Sequence, residues 1–239
     1  AKPRLLLLNK ADMADPAATS RWIAAYEKKG YTALAMDCRT GKGVRNFAPA
    51  VRERLLAPLL EKRRANGTAG APIRLMIVGI PNVGKSSFIN RMAQSKRAKV
   101  EDRPGVTRTK QWVKIGDNME LLDMPGVLWP KFEDQSVAQR LAFTGAINDD
   151  IMDLEALASL LLVRLAASYP DALEKRYRMT ELSAIQTDGF AMLELLGRKR
   201  GMLISGGEVN TERAAITLLD EFRSGKLGRI TLEFPEQER

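Results

Sequence analysis

Apolar positions along the chain fall into short runs and helical spacings that alternate through its first half. Residues 73–78, Ile-Arg-Leu-Met-Ile-Val, form an apolar run of strand length that reads as a buried strand, and 87–92 opens a helix directly after it. Upstream, 4–8 is a second short strand. Residues 16–29 set Trp22, Ile23, Ala25 and Tyr26 at helical spacing and end at Gly30, a good C-cap. A third strand follows at 31–36, then a helix over 44–62. The polar, glycine-rich stretch 61–72 reads as a connector. Residues 111–115 and 119–122 read as a hairpin around Gly116-Asp117-Asn118. From Gln135 the pattern turns helical: 135–147, 153–169, 170–178, 188–196 and 211–224, with a short terminal strand at 229–234. The expectation is an α/β domain, mostly parallel sheet with helices on both faces, over 1–140, and a small mostly helical domain over 141–239.

Charge divides the chain in the same place. Residues 1–146 carry 26 Lys/Arg against 13 Asp/Glu, and 147–239 carry 12 against 16. Within 45–114 the count is 16 against 4, which points to a polyanionic partner, nucleic acid first, over a merely soluble basic surface. A single cysteine, Cys38, excludes a disulfide framework and fits a reducing compartment. The apolar window 154–167 is too short for a membrane span and holds Glu155 and Arg164, so it reads as a buried helix. The chain has no histidine, which excludes a Ser-His-Asp triad, a Cys-His dyad and imidazole metal ligands within it.

The candidate chemistry sits at strand ends. Gly79-Ile80-Pro81-Asn82-Val83-Gly84-Lys85-Ser86 matches G-x-x-x-x-G-K-[ST] between a strand and a helix. In that pattern backbone amides and the helix dipole cradle a phosphate, Lys85 adds a point charge and the Ser86 hydroxyl reaches Mg²⁺. Asn9-Lys10-Ala11-Asp12 ends the first strand with N-K-x-D, whose carboxylate can accept from guanine N1 and N2, a donor pair adenine lacks. Asp37–Gly43 is a glycine-bearing loop that alone would read as an ordinary strand-to-helix turn; with Asn9–Asp12 upstream its amides would approach the base O6. Asp123-Met124-Pro125-Gly126 places an aspartate for the Mg²⁺ hydration shell and a glycine for the γ-phosphate. The basic stretch 96–114 offers Thr107, either as a mobile-loop ligand or as plain surface. The two guanine elements precede the phosphate loop, the reverse of the usual order.

In that order these strings resemble the circularly permuted GTPases, and specifically the bacterial ribosome biogenesis GTPase A family. The resemblance rests on 9–12, 79–86, 102–107, 111–114, 121–126, 128–134, 197–201 and 205–207. It implies a cytoplasmic GTPase that helps mature the large (50S) ribosomal subunit, cycling between GTP and GDP, with a helical domain on rRNA and neither membrane nor DNA as a partner. By residue it implies nucleotide binding by Asn9, Lys10, Ala11, Asp12, Asp37, Cys38, Arg39, Asn82, Val83, Gly84, Lys85, Ser86, Ser87 and Gly126. Lys85, Thr107 and Gly126 would serve the reaction. Ser86, Thr107 and Asp123 would hold Mg²⁺, and Asn82 would hold K⁺ beside the phosphates. Arg198, Lys199, Arg200, Lys226 and Arg229 are the candidates for RNA phosphate. Cys38 stands where relatives commonly have serine, and Val127 where many GTPases have a water-orienting glutamine. The family's basic N-terminal segment, with a histidine, is not in this sequence, so slow hydrolysis is expected. The competing expectation is a GTP-dependent switch that binds a protein effector instead of rRNA.

Overall fold

The computed structural model describes residues 2–94, 111–116, 118–128, 132–180, 182–185 and 187–235. The chain divides into two compact units, Ala1–Leu128 with Glu233–Arg239, and Trp129–Leu232.

In the first unit β1 (Leu5–Leu8) and β2 (Thr32–Ala35) pair in parallel, Leu5 opposite Thr32 and Leu8 opposite Ala35. Parallel neighbours need a crossover, supplied by α1 (Pro16–Lys28). Asp15 caps that helix by accepting from Ala18 N–H at 2.9 Å, and Pro16 occupies a first-turn position where its missing N–H costs nothing. The helix expected over 44–62 is broken into a 3₁₀ turn (Val44–Asn46), α2 (Phe47–Pro49), a π turn (Ala50–Leu55) and α3 (Ala57–Ala65). Pro49 and Pro58 cannot donate within a helix, so the chain shifts to other hydrogen-bond registers, as in Leu56 N–H to Val51 O at 2.9 Å.

A second sheet holds β3 (Ile73–Ile77), β4 (Gln111–Ile115) and β5 (Met119–Asp123) in the order β3-β5-β4, with β5 parallel to β3 and antiparallel to β4. The anticipated single, mostly parallel sheet is thus two small sheets among the described residues. They share one core. Met36, Val44, Phe47 and Val51 pack with Ile73, Leu121 and with Phe88, Ile89 and Met92 of α4 (Lys85–Gln94). Phe47 meets Phe88 edge-on at 4.9 Å. β3 is half-covered and not fully buried as the apolar run suggested. Ile73 is buried while Met76 is 61% and Val78 67% exposed, because β3 is an edge strand with cover on one face among the described residues.

The second unit is helical: α5 (Gln135–Phe143), α6 (Leu154–Ser168), α7 (Pro170–Tyr177), α8 (Gly189–Lys199) and α9 (Thr211–Arg223). Asp134, Asp153, Asp188 and Asn210 each accept a backbone N–H as N-caps of α5, α6, α8 and α9. α6 is the central helix: Leu157, Leu161, Leu162 and Leu165 meet Met192, Leu193 and Leu196 of α8 and Ala215, Leu218 and Leu219 of α9. That is the buried helix read from 154–167; no single described helix is long and apolar enough to cross a membrane. A Cβ on Gly189 would lie 2.3 Å from Ser159 O, so glycine sets how closely α8 approaches α6.

The division falls after Leu128, upstream of the expected 140/141. Ala142 and Phe143 sit in the helical core, and Arg223 of α9 donates to the Ala142 and Phe143 carbonyls at 2.9 and 3.0 Å and to both Asp149 oxygens. The terminal strand at 229–234 does not form. Tyr169 OH bonds both Thr231 N–H and Thr231 O at 3.1 Å, and Arg164 donates to Leu232 O, so side chains satisfy that backbone where strand neighbours would.

Among the described residues Glu221 is the buried acid of this unit. Arg176 donates to both its oxygens, Tyr177 OH donates at 2.9 Å, and Arg200 approaches to 3.6 Å. The Arg176 hydrogen bonds, against the opposing effect of burial, hold its carboxyl below the ordinary 4.5. This stabilisation is full above that ordinary value and is lost as pH falls through it and below. Glu221→Gln is therefore expected to lower the unfolding free energy by about 2 kcal/mol at neutral pH and to flatten the acid limb of stability against pH, measured by denaturant titration from pH 7 to pH 3.

Candidate functional site

β3 ends at Ile77 and α4 begins at Lys85, and the intervening loop turns through two left-handed residues, Asn82 (φ 59°) and Gly84 (φ 97°). A Cβ on Gly84 would come within 2.2 Å of Asn9 Nδ2, so glycine is required both for the turn and for Asn9 to enter. Lys85 Nζ donates to Gly79 O at 2.8 Å and Ile80 O at 2.9 Å, spanning its own loop. Burial lowers the Lys85 pKa, opposed by the charge of Asp123. The parallel register sets Asp123, fully buried, opposite Ile77. A Cβ on Gly126 would meet Pro81 N at 2.9 Å and Lys85 Nζ at 3.0 Å, so the backbone after β5 lies directly on the phosphate loop. Ser86 is half-buried on the first turn of α4, and Ser87 is exposed.

Among the described residues no three Asp, Glu or Cys side chains converge as a metal cluster. Ser86 offers a hydroxyl on the first turn of α4 and Asp123 a buried carboxylate at the end of β5, hard oxygens of the kind Mg²⁺ takes together with phosphate oxygens. Thr107 and the run 102–107 lie outside the described residues.

The guanine-type elements are built around Asn9. Its Nδ2 donates to Val83 O at 2.9 Å, and its Oδ1 accepts from Cys38 N–H at 3.1 Å, so the end of β1 holds both the phosphate loop and the loop after β2. Lys10 takes a left-handed backbone (φ 58°), and Ala11 N–H donates to Met36 O at 3.1 Å. Asp12 accepts from Arg39 Nη2 at 3.0 Å. Asp37 is buried and spends its carboxylate inside the loop, accepting from Arg39 N–H at 2.8 Å and from the Thr40 hydroxyl. Burial raises its pKa, but the Thr40 hydroxyl and the Arg39 and Thr40 amides outweigh that and hold it below the ordinary value. Its role is thus to shape the loop. Cys38 is buried against Met36, and burial pushes its thiol up to about 11.

The residues expected to bind nucleotide, from Asn9, Asp12, Cys38 and Arg39 to the phosphate loop, are therefore brought together. The candidates for RNA phosphate are not equivalent. All five are exposed, but Arg198 pairs with Glu194 at 2.6 Å and Arg200 lies 3.6 Å from Glu221. Sequence pattern missed Arg91, whose Nε donates to Cys38 O at 3.1 Å; a lone arginine on a helix carries no signal for a partner 53 residues away.

A parallel strand pair, a phosphate loop opening a helix, and N-K-x-D hydrogen-bonded to that loop define a P-loop nucleotide-binding protein of the GTPase class. A family model described as "50S ribosome-binding GTPase" matches residues 74–184. Ribosome biogenesis GTPase A of Bacillus cereus is 45% identical over 236 residues, 99% of this chain and 78% of that protein. The Thermotoga maritima protein of the same name is 29% identical over 98% of this chain and 78% of its own length. Solved structures of Thermotoga maritima YlqF resemble the fold: a GDP-bound form has TM-score 0.61 at 25% identity, covering 98% of this chain and 84% of that one, and a GNP-bound form has TM-score 0.59 at 26%, covering 98% and 82%. The chain belongs to the ribosome biogenesis GTPase A family.

Two outcomes follow from this geometry. Gly84→Ala, strained by φ 97° and colliding with Asn9, is expected to weaken guanine nucleotide binding by at least about tenfold, read by titration with fluorescently labelled GDP. Cys38, with a thiolate fraction of only about 0.1% at pH 8, is expected to resist iodoacetamide in the native protein and to react once urea unfolds it, read by mass spectrometry.

Proposed function

We propose that this chain is a GTP hydrolase that acts in maturation of the large ribosomal subunit, docking on it in the GTP state and leaving after hydrolysis. Membership of the ribosome biogenesis GTPase A family along nearly the whole chain supports this reading most directly. The nucleotide would span the site from Asp12 and the loop after β2 to the phosphate loop. Asp12 selects guanine, accepting from N1 and N2 in place of the Arg39 guanidinium. Loop amides and Lys85 hold the phosphates, and the Gly126 amide reaches the γ-phosphate. Ser86 and Asp123, with Thr107, would hold Mg²⁺, which when bound neutralises charge on the β- and γ-phosphate oxygens. Asn82, exposed on the loop, is assigned to K⁺, adding positive charge where an arginine finger acts in other GTPases.

Water attacks the γ-phosphate without a covalent intermediate. Val127, 70% exposed, offers no polar group where a glutamine would orient that water. Hydrolysis by the isolated chain is accordingly slow, and the subunit supplies the acceleration. The helical unit is assigned to rRNA, with the exposed Lys199, Lys226 and Arg229 among its contacts. The compartment is the cytoplasm, where subunits are assembled in bacteria.

Co-sedimentation with purified large subunits tests the reading. A non-hydrolysable GTP analogue is expected to retain the protein on the subunit, GDP to release it, and Lys199→Glu with Lys226→Glu to weaken association without changing GDP affinity. Absence of association in either nucleotide state would overturn the ribosomal reading in favour of a switch acting on a protein effector. Hydrolysis is expected to be faster in K⁺ than in Na⁺, and Asn82→Ala to abolish that difference.

A further inference from the structure

We propose that Arg91 is a positioning residue for guanine recognition, holding the loop after β2 in register with the phosphate-binding helix. The inference rests on the reading of this site as one for GTP. α4 starts at Lys85, so its first turn faces the phosphates. Arg91 lies six residues further on, about 9 Å along the helix axis. From there its Nε donates to Cys38 O at 3.1 Å and its Nη2 donates to Arg39 O. Two successive carbonyls met by two donors of one planar group is a match for guanidinium geometry that a lysine ammonium cannot reproduce. A Cβ on Gly41 would lie 3.5 Å from Arg91 Cζ, so the loop backbone is laid against the guanidinium itself.

The consequence lies in how Cys38 is held. Its N–H donates to Asn9 Oδ1 and its C=O accepts from Arg91, so the residue at the base edge is gripped on one side by the N-K-x-D strand and on the other by the phosphate helix. Thr40 and Arg39 shape the loop internally through Asp37, but those bonds do not reach α4. Arg91 does. It converts the distance between base pocket and phosphate loop into a property of one rigid helix. Without it, the loop keeps its internal turn and loses its placement, so the base contact weakens while the phosphate contact does not.

The test compares wild type, Arg91→Ala and Arg91→Lys with two probes: GTP, which uses both halves of the site, and inorganic tripolyphosphate, which uses only the phosphate half. Each is titrated as a competitor of labelled GDP. Arg91→Ala is expected to weaken GTP by about tenfold or more, as loss of two hydrogen bonds predicts, mainly through faster release. Tripolyphosphate is expected to stay within about twofold, and Arg91→Lys to recover only part of the loss. An equal loss for both probes would mark Arg91 as general support for α4 and overturn the proposal, as would unchanged GTP affinity in Arg91→Ala or full recovery by lysine. Wild-type protein that binds ATP as tightly as GTP would overturn the guanine reading itself, a result distinct from failure of the variants.

Discussion

The amide of Asn9 joins the halves of the nucleotide site, one atom to each. Nδ2 reaches the phosphate loop at Val83 O, Oδ1 takes the Cys38 amide of the base-edge loop, and the side chain itself hangs from the end of β1. Both bonds cross elements far apart in the chain, so each closes a long loop whose entropic cost the packed core must offset. That core unites the two sheets: Met36 and Val44 from the first half lie in one cluster with Ile73, Phe88 and Leu121 from the second. Gly84 is then obligatory, because any side chain there would occupy the space Asn9 needs.

This arrangement explains why the reversed order of motifs does no harm. What the nucleotide requires is that three strand ends, after β1, β2 and β3, present their loops to one place, and strand pairing and core packing secure this whichever strand comes first. α3 runs on to Ala65, so the connector to β3 is 66–72, held down by Arg63 of α3 donating to the carbonyls of Ala71 and Pro72 and by Asn118 donating to Gly70 O. The same order sets Asp123–Gly126, whose Gly126 lies against the phosphate loop, immediately before the helical unit in sequence.

The helical unit follows a different logic. α5, α6, α8 and α9 are capped by aspartate or asparagine, and the buried carboxylate is fully engaged. Glu221 is met by Arg176, Tyr177 and Arg200, and Arg223 closes α5 by taking its last carbonyls. A buried carboxylate is tolerable only when its lone pairs are used, which is why Arg176 and Tyr177 both donate to Glu221. Within the exposed cluster Arg198-Lys199-Arg200, Arg200 lies 3.6 Å from that acid and Arg198 pairs with Glu194.

By itself the sequence determined the phosphate loop, the N-K-x-D element, the hairpin and the helical second half, because each is written in local spacing, turn chemistry or capping. Glycine at 84 and proline at 16 carry their backbone geometry with them. Only tertiary structure decided the rest. Nothing local says that Asp37 turns inward to shape its loop or that α5 belongs with the helical core; Pro49 and Pro58, by contrast, are local breaks in the helix expected over 44–62. Nor does any pattern announce Arg91, whose partners lie 52 and 53 residues away. Local propensity acts over one turn of chain, whereas these assignments depend on which surfaces meet after folding, and that is settled by packing across the core.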